Sequence, residues 1–188
     1  MMRIITGSAK GIRLKTLEGD ATRPTSERVK EAVFSMLQFD IEGRRVLDLF
    51  SGSGQMALEA LSRGASFAVM IDQNKDAVRI MEENALKTKL YDRCQTVRSD
   101  YLDYIRRHHG ERFDLVFLDP PYAAHCYRPA LQALCQYQLL KPTALIVCES
   151  GEEEIFEGDS ALASRFSVVR SSRYSKTYIT VLSPVMEA

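Results

Sequence analysis

One stretch in the first third of the chain decides the fold: Val46–Gly54, with the sequence VLDLFSGSG. It begins as a short apolar run, typical of a buried β-strand, and ends in a glycine turn. Residues 56–63, which follow, have the pattern of a helix. Glycines at such a turn let the backbone pass close to a ligand, and the N-terminus of the helix offers free N–H groups. The stretch predicts a ligand-binding turn, although a tight turn with a purely structural role would have a similar sequence.

Strand and helix patterns alternate along the rest of the chain. Further strands are predicted at 67–71, 94–98, 113–118 and 144–148, and helices at 25–39, 75–88, 101–108 and 126–138. Two last strands, 166–169 and 178–182, lie close together and predict a hairpin. This alternation is typical of an α/β fold with a parallel sheet and helices on both faces. We expect residues 1–188 to form one domain, with 1–24 as a basic hairpin packed on it or a loose arm.

Acidic residues accompany three successive strands. Asp48 lies in the first, Asp72 ends the second, 18 residues after Gly54, and Asp100 follows the third. In an open α/β sheet, ligands bind at the carboxyl ends of the strands. Asp72 is placed to accept hydrogen bonds from two ribose hydroxyls, and Asp100 from an adenine amino group, with Tyr101 packing on the ring. Each aspartate alone is more typical of a helix N-cap or a loop, but the three together favour a nucleoside site.

The segment Val46–Gly54 resembles the first motif of class I S-adenosylmethionine-dependent methyltransferases. That family has a Rossmann-like fold: a seven-stranded, mostly parallel sheet with a terminal antiparallel hairpin and helices on both faces. The resemblance implies S-adenosylmethionine as cofactor. Its expected binding residues are Asp48, Phe50, Gly52, Gly54, Asp72, Asp100 and Tyr101. A nicotinamide oxidoreductase fits less well, because the third glycine of a dinucleotide fingerprint is missing.

The fourth predicted strand runs into Asp119-Pro120-Pro121-Tyr122. Two prolines make this turn stiff and leave the Pro120 carbonyl available to a ligand. An exocyclic amine of a nucleobase is a poor nucleophile, since its lone pair is delocalised into the ring. Asp119 and the Pro120 carbonyl can accept its two N–H groups, and Tyr122 can stack on the base, a contact of about 1–3 kcal/mol. Positioning of this kind suffices for methyl transfer from a sulfonium, with Asp119 taking or relaying the proton. The alternative is a rigid turn with a capping aspartate.

The substrate prediction depends on the N-terminal region. Thr22–Phe34, with the sequence TRPTSERVKEAVF, and the opening Arg3–Leu14 resemble the RsmD family, bacterial guanine-N2 methyltransferases of 16S ribosomal RNA. The resemblance covers nearly the whole chain. It implies an rRNA (guanine-N2-)-methyltransferase, whereas the tetrapeptide alone is shared with enzymes that act on other amines. The alternatives are a DNA adenine-N6 methyltransferase, which generally has an additional target-recognition region, and a non-catalytic S-adenosylmethionine-binding protein.

Charge along the chain is uneven. The net charge is zero, but residues 1–30 hold seven Lys and Arg against three acids, a net of +4. A basic N-terminal segment is compatible with phosphate contacts, and equally with a solvated arm. The predicted RNA contacts are Lys10, Arg13, Arg23 and Arg28. We expect a monomer, as the default, and 16S rRNA within a small-subunit particle as its partner. The modest charge is consistent with a particle, since ribosomal proteins would share the docking.

Other features exclude several classes of protein. No run of 18 apolar residues and no secretory signal occur, so we expect a cytoplasmic protein without a membrane partner. The four cysteines form no Cys-x-x-Cys pair and have no histidines at zinc-ligand spacing, which predicts reduced thiols and no metal. Basic and aromatic residues also occur near the C-terminus: Arg173, Tyr174, Lys176 and Tyr178. They fit a rim around the base pocket and the surface of an ordinary hairpin equally well.

Overall fold

A computed structural model describes residues 2–17, 27–121 and 125–185 of the chain. Seven strands and six α-helices lie within these ranges. In chain order they are α1 Glu27–Met36, β1 Arg45–Asp48, α2 Gln55–Ser62, β2 Phe67–Asp72, α3 Lys75–Lys87, β3 Cys94–Arg98, α4 Tyr101–Arg107, β4 Phe113–Leu118, α5 Tyr127–Gln136, β5 Leu140–Ser150, α6 Ser160–Ala163, β6 Phe166–Tyr174 and β7 Thr177–Pro184. A short 3-10 helix, Tyr91–Arg93, precedes β3.

The strands form one sheet in the order β3-β2-β1-β4-β5-β7-β6. The first five strands of that order are parallel, while β7 runs antiparallel to both β5 and β6. The predicted seven-stranded, mostly parallel sheet with a terminal antiparallel hairpin is therefore confirmed. The chain moves outward from β1 to β3 on one side and from β4 to β6 on the other, so the order reverses between β1 and β4.

Some strands are longer than their apolar patterns predict. The expected strand 144–148 is the buried part of β5, which extends from Leu140 to Ser150 because it pairs with β4 on one side and β7 on the other. The expected strand 166–169 is the start of β6, which continues to Tyr174 as an exposed edge strand. Sequence periodicity detects only the positions that pack against the core.

The core has two halves, one on each face of the sheet. On one face, α1, α2 and α3 cover residues such as Val46, Met70 and Phe117. On the other face, α4, α5 and α6 cover residues such as Leu47 and Val116. Successive side chains of a strand point to opposite faces, so runs such as β1 and β4 are apolar throughout. In the part of the chain that the structure describes, no helix has the length and apolarity needed to span a membrane.

Residues 2–17 form a hairpin-like loop that packs on α2 and α3, called here the N-terminal loop. Arg3 and Arg13 pair as an antiparallel bridge. The loop is held by side chains of the helices: Glu59 accepts from the Ile5 and Thr6 N–H groups, at 2.7 and 3.0 Å, and Ser62 Oγ accepts from the Ala9 N–H at 2.9 Å. Further along, Asn84 exchanges two hydrogen bonds with the Lys15 backbone. Buried apolar side chains of the loop, Ile4, Ala9 and Leu14, join the core.

A buried ion pair connects this loop with two helices. Lys30 of α1 and Glu59 of α2 are fully buried, with their charged atoms 3.4 Å apart. Lys30 Nζ also donates to the Arg3 carbonyl, and Arg63 donates to Glu59 at 2.9 Å. Burial lowers the pKa of Lys30, while the Glu59 carboxylate opposes that effect. A buried charge costs free energy unless it is paired and hydrogen-bonded, and here both members have several partners.

Candidate active site

The predicted ligand-binding elements meet at the point where the strand order reverses. The glycine turn leaves β1, and Asp119 follows β4, the neighbouring strand. Open α/β sheets bind their ligands in the crevice at such a switch point. An open pocket with about 380 Å³ of empty space lies there. Its lining residues come from α1, the glycine turn, the start of α2 and the ends of β4, β5 and β7: Val33, Asp48, Phe50, Ser51, Gln55, Met56, Phe117, Leu118, Asp119, Val147, Glu149 and Ile179.

The glycine turn has the backbone that its sequence predicts. Gly52 and Gly54 have φ angles of 53° and 78°, in the left-handed region that favours glycine. A Cβ at Gly54 would lie 2.9 Å from Met70 Sδ, so this glycine is also required by close packing against β2. A Cβ at Gly52 would meet nothing within 4 Å. The backbone at Gly52 is therefore open to a ligand.

Asp72 lies against this turn, although 20 residues separate it from Gly52. Its Oδ2 accepts from the Gly52 N–H at 3.0 Å, and its Oδ1 accepts from the Asn74 N–H at 2.8 Å. Strands β1 and β2 pair in parallel, so their carboxyl ends lie side by side. The structure thus brings together two of the sequence-predicted cofactor residues.

Asp100 and Tyr101 lie one strand further along the same edge. Asp100 is exposed, and its Oδ1 accepts from the Leu102 and Asp103 N–H groups at 2.9 and 3.2 Å, which makes it the N-cap of α4. The Tyr101 ring packs against Phe50 of the glycine turn, with 4.9 Å between the ring centroids. Burial raises the pKa of Tyr101, and a hydrogen bond with Cys126 adds to this effect. An adenine contact for Asp100 and Tyr101 remains a prediction.

Asp48 is a buried acid of the pocket whose pKa is strongly raised. The residue is 2% exposed, and its Oδ2 has no hydrogen-bond partner among the described residues. Burial raises the pKa of Asp48 to about 7, while hydrogen bonds from Ser51 and the backbone lower it and the Asp72 carboxylate raises it. Gln55, 8% exposed, also has a buried side-chain oxygen that lacks a partner in the described ranges. Unsatisfied buried acceptors carry a free-energy cost that a ligand with N–H donors would remove.

Asp119 lines the pocket where the sequence predicts a catalytic carboxylate. Pro120 is buried directly behind it. Tyr122 lies outside the described residues, as does Arg23. Among the residues that the structure describes, no Lys or Arg lines the pocket. The pocket therefore offers acceptors and negative charge to its ligand.

The remaining predicted RNA contacts lie outside this pocket lining. Lys10 and Arg13 are exposed on the N-terminal loop, and Arg28 is exposed in the first turn of α1. The loop approaches the glycine turn, since Ser53 Oγ donates to Met2 Sδ at 3.1 Å. Two other cations of the loop are paired: Arg3 with Glu27 at 3.2 Å and Lys15 with Glu83 at 2.5 Å. The loop thus holds exposed positive charge, and its Met2 end lies beside the glycine turn.

The structure also assigns places to the residues that the sequence left without a clear role. Arg173 lies over the Tyr178 ring at 5.2 Å from its centroid, so these two pair with each other across the β6–β7 hairpin. The four cysteines all lie in the described ranges, and none of them forms a disulfide bond. No cluster of three or more His, Cys, Asp or Glu that could hold a metal ion is found in the described ranges.

Three polar residues of the pocket lining, Ser51, Gln55 and Glu149, are missing from the sequence-predicted site. Glu149 follows the apolar run 144–148, so the rule that identified Asp72 and Asp119, an acid at the end of a buried strand, applies to it as well. Gln55 begins α2 directly after the second glycine and had no comparable signal, because its importance depends on what it faces in three dimensions.

Comparison with known proteins identifies the family. The family described as Conserved hypothetical protein 95 matches residues 2–183. The chain belongs to this family. Ribosomal RNA small subunit methyltransferase D of Haemophilus influenzae is 34% identical over 155 residues, which cover 81% of this chain and 80% of the relative. The protein of the same name from Escherichia coli K12 is 32% identical over 152 residues, covering 81% and 76%.

A solved structure of a hypothetical protein from Thermus thermophilus superimposes with a TM-score of 0.80 and 28% identity, covering 98% of this chain and 100% of that one. A second solved structure, described as a putative methyltransferase from Escherichia coli, superimposes with a TM-score of 0.84 and 26% identity, covering 99% of each chain. The predicted membership of the RsmD family and the Rossmann-like class I methyltransferase fold are therefore confirmed.

Proposed function

We propose that the chain transfers a methyl group from S-adenosylmethionine to the exocyclic N2 of a guanine in 16S ribosomal RNA. One observation carries the proposal: Asp119 lines a pocket at the switch point that also contains the glycine turn and the buried acid Asp48. The family supports the substrate class, since its members in Haemophilus influenzae and Escherichia coli are named small-subunit ribosomal RNA methyltransferases.

The cofactor side of the pocket fits a positively charged donor. When bound, S-adenosylmethionine supplies a methyl group on a cationic sulfur. Asp48 Oδ2 and Gln55 Oε1, the buried oxygens without described partners, suit the N–H donors and positive charge of its amino acid portion. Asp72, already beside Gly52, is placed to accept from ribose hydroxyls next to the open backbone of the turn. Phe50 and Tyr101 offer aromatic faces at the adjacent edge.

On the substrate side, Asp119 has two tasks. Its carboxylate accepts an N–H of the guanine amine, which together with the Pro120 carbonyl localises the lone pair on nitrogen and orients it for in-line attack. As the nitrogen gains the methyl group it becomes acidic, and Asp119 takes the proton or passes it to water. No covalent intermediate is required, so catalysis consists of positioning and of stabilising the charge that develops.

The N-terminal loop is the proposed RNA contact. Lys10 and Arg13 hold exposed charge on the N-terminal loop, which contacts the glycine turn through Met2, and Arg28 and Arg23 belong to the same basic region of the sequence. Three or four phosphate contacts give modest affinity for RNA alone. We therefore propose a monomer that acts in the cytoplasm on RNA within an assembling small-subunit particle.

The direct test is nucleoside analysis. Purified protein is incubated with methyl-labelled S-adenosylmethionine and either naked small-subunit rRNA, small-subunit particles or DNA. We expect label in N2-methylguanine, with more label from particles than from naked RNA. Label found only as N6-methyladenine in DNA would exclude the proposed substrate.

The role of Asp119 is tested by substitution. Asp119→Ala should lower kcat by at least about 10²-fold, because it removes both the acceptor and the proton path. The Kd of the Asp119→Ala protein for S-adenosylmethionine, measured by calorimetry, should stay within a few-fold of the Kd of the unaltered protein. Asp103→Ala, which removes an exposed carboxylate on α4, serves as the matched control. Full activity in Asp119→Ala would exclude the catalytic assignment.

A further inference from the structure

Glu149 is a second carboxylate beside Asp119, and the register of the sheet places it there. Strands β4 and β5 pair in parallel, with Phe117 opposite Val147 and Leu118 opposite Cys148. Extending that register by one residue puts Asp119 opposite Glu149. Neighbouring strands lie about 4.8 Å apart, and residues in register point to the same face. Both residues line the pocket, so the structure confirms that their side chains share this space.

The position of Glu149 is well defined. The residue is 8% exposed and lies within β5, opposite Ile179 of β7. Its backbone carbonyl accepts a hydrogen bond from the Tyr127 hydroxyl at the start of α5, which fixes the end of β5 against that helix. The backbone of Glu149 is therefore fixed at the strand end, next to the pocket that this residue lines.

The chemistry of the pocket indicates what such a carboxylate would bind. In addition to Asp119 and Glu149, the pocket has two buried side-chain oxygens, Asp48 Oδ2 and Gln55 Oε1. These two oxygens have no hydrogen-bond partner among the described residues. No Lys or Arg of the described ranges lines the pocket. All four groups are hydrogen-bond acceptors, so the pocket suits a base that presents N–H donors. Of the bases with an exocyclic amine, guanine alone has an N–H, at N1, beside that amine. Adenine and cytosine instead have a ring nitrogen lone pair at the corresponding place, which would face the carboxylate and repel it.

We propose that Glu149 is a specificity-determining residue that accepts the N1–H of the target guanine while Asp119 accepts from its 2-amino group. This inference rests on the proposed function. It adds a reason why this site selects guanine, although enzymes that act on several different amines share the Asp-Pro-Pro-Tyr motif. A site that hydrogen-bonds an N–H rejects an analogue that lacks it, because the hydrogen bond is lost and a ring lone pair then faces the carboxylate.

The test replaces the N1–H of the substrate. The methylated guanosine is first located in small-subunit rRNA, and RNA with 2-aminopurine at that nucleotide is then prepared by ligation. 2-Aminopurine keeps the 2-amino group but has a lone pair at N1. With the unaltered protein, kcat/KM for 2-aminopurine should be at least about 10²-fold below that for guanine.

In Glu149→Gln, the side-chain amide can accept from N1–H or donate to an N1 lone pair. Its kcat/KM for guanine should fall about 10- to 100-fold, while that for 2-aminopurine should hold or rise, so that the ratio of the two narrows by at least about tenfold. Because this ratio compares two substrates on one protein, a purely structural effect of the substitution leaves it unchanged. Glu153→Gln, which neutralises an exposed carboxylate on the following loop, is the control and should keep the original ratio.

Two results would overturn the inference. One is an unaltered protein that methylates 2-aminopurine as well as guanine, an outcome that needs no variant to fold. The other is a Glu149→Gln protein whose guanine to 2-aminopurine ratio matches that of the unaltered protein. Both differ from a failure of the proposed function, in which the unaltered protein would form no N2-methylguanine at all.

Discussion

Two glycines of the N-terminal loop provide a sharp test of how this loop is docked. Gly7 and Gly11 both have left-handed backbones, with φ angles of 89° and 82°. A Cβ at Gly7 would lie 1.8 Å from the Ser62 carbonyl oxygen and 2.3 Å from its carbon, whereas a Cβ at Gly11 would meet nothing within 4 Å. Gly7→Ala and Gly11→Ala therefore share the conformational penalty but differ in the clash.

The difference in their cost follows from these distances. A left-handed alanine costs about 1–2 kcal/mol in either variant. In Gly7→Ala the new methyl group also strikes the backbone of α2, which cannot rotate away as a flexible side chain would, and overpacking adds about 1–3 kcal/mol. Relieving the clash would break the hydrogen bonds from the Ser8 N–H to the Ser62 carbonyl, 2.8 Å, and from the Ala9 N–H to Ser62 Oγ, 2.9 Å. We expect Gly7→Ala to lower the free energy of unfolding by about 2 kcal/mol more than Gly11→Ala.

Urea unfolding of the two variants measures that difference, with a lower midpoint and an unchanged m value for Gly7→Ala. If the loop instead detaches locally, limited trypsin digestion should cleave after Lys10 or Arg13 faster in Gly7→Ala than in Gly11→Ala. The two variants would refute the described docking if they showed equal midpoints and equal rates of cleavage.

Three further predictions concern charged residues. Asp48 has a pKa of about 7 in the folded protein, above its ordinary value of 3.8, so it contributes stability that is complete at low pH and is lost as the pH rises through about 7. Between about pH 4 and pH 7, the free energy of unfolding of the ligand-free protein should therefore fall by on the order of 4 kcal/mol relative to that of Asp48→Asn. Urea unfolding of both proteins at a series of pH values measures this difference. Glu59→Gln should cost about 3–5 kcal/mol, since it leaves the buried Lys30 without its carboxylate. Glu83→Gln, in an exposed pair with Lys15, should leave the unfolding midpoint almost unchanged; equal midpoints of the two variants in thermal or urea unfolding would contradict this. Lys10→Ala and Arg13→Ala should each weaken rRNA binding, and each should reduce by about 1 the slope of the logarithm of the binding constant against the logarithm of the salt concentration. Lys87→Ala, which removes an exposed cation elsewhere, is the control. An unchanged slope in filter-binding titrations of the first two variants would exclude phosphate contacts by these residues.

The Asp48 prediction also bears on the cofactor. A donor with an ammonium group binds the ionised carboxylate better, so the affinity for S-adenosylmethionine should rise with pH through about 7 and become flatter in Asp48→Asn. The proton that Asp48 holds in the ligand-free protein would be released on binding. The number of protons released on binding is measured by calorimetry in buffers of different ionisation enthalpy.

The order of strands and helices was predictable from the sequence because it depends on local periodicity and on turn residues. Val46–Gly54 contains the apolar run, the two left-handed glycines and the helix start within nine residues, and the structure has this arrangement. Helix ends and the exposed halves of β5 and β6 were less predictable, since hydrogen bonding to neighbouring strands determines them. Asp100 shows the same limit: its N-cap role was open in the sequence, and the hydrogen bonds to the α4 backbone became visible only in the structure.

The sequence by itself thus determined the class of fold and the family, because these depend on motifs whose residues are adjacent in the chain. It also predicted a catalytic role for Asp119, which stays a prediction. Only the tertiary structure decided which distant residues share a space. Glu149 lies beside Asp119 through strand pairing, and Glu59 holds the N-terminal loop across more than 50 residues of sequence. Such contacts depend on register and on packing between elements. The burial that leaves Asp48 Oδ2 unpartnered and raises its pKa arises in the same way.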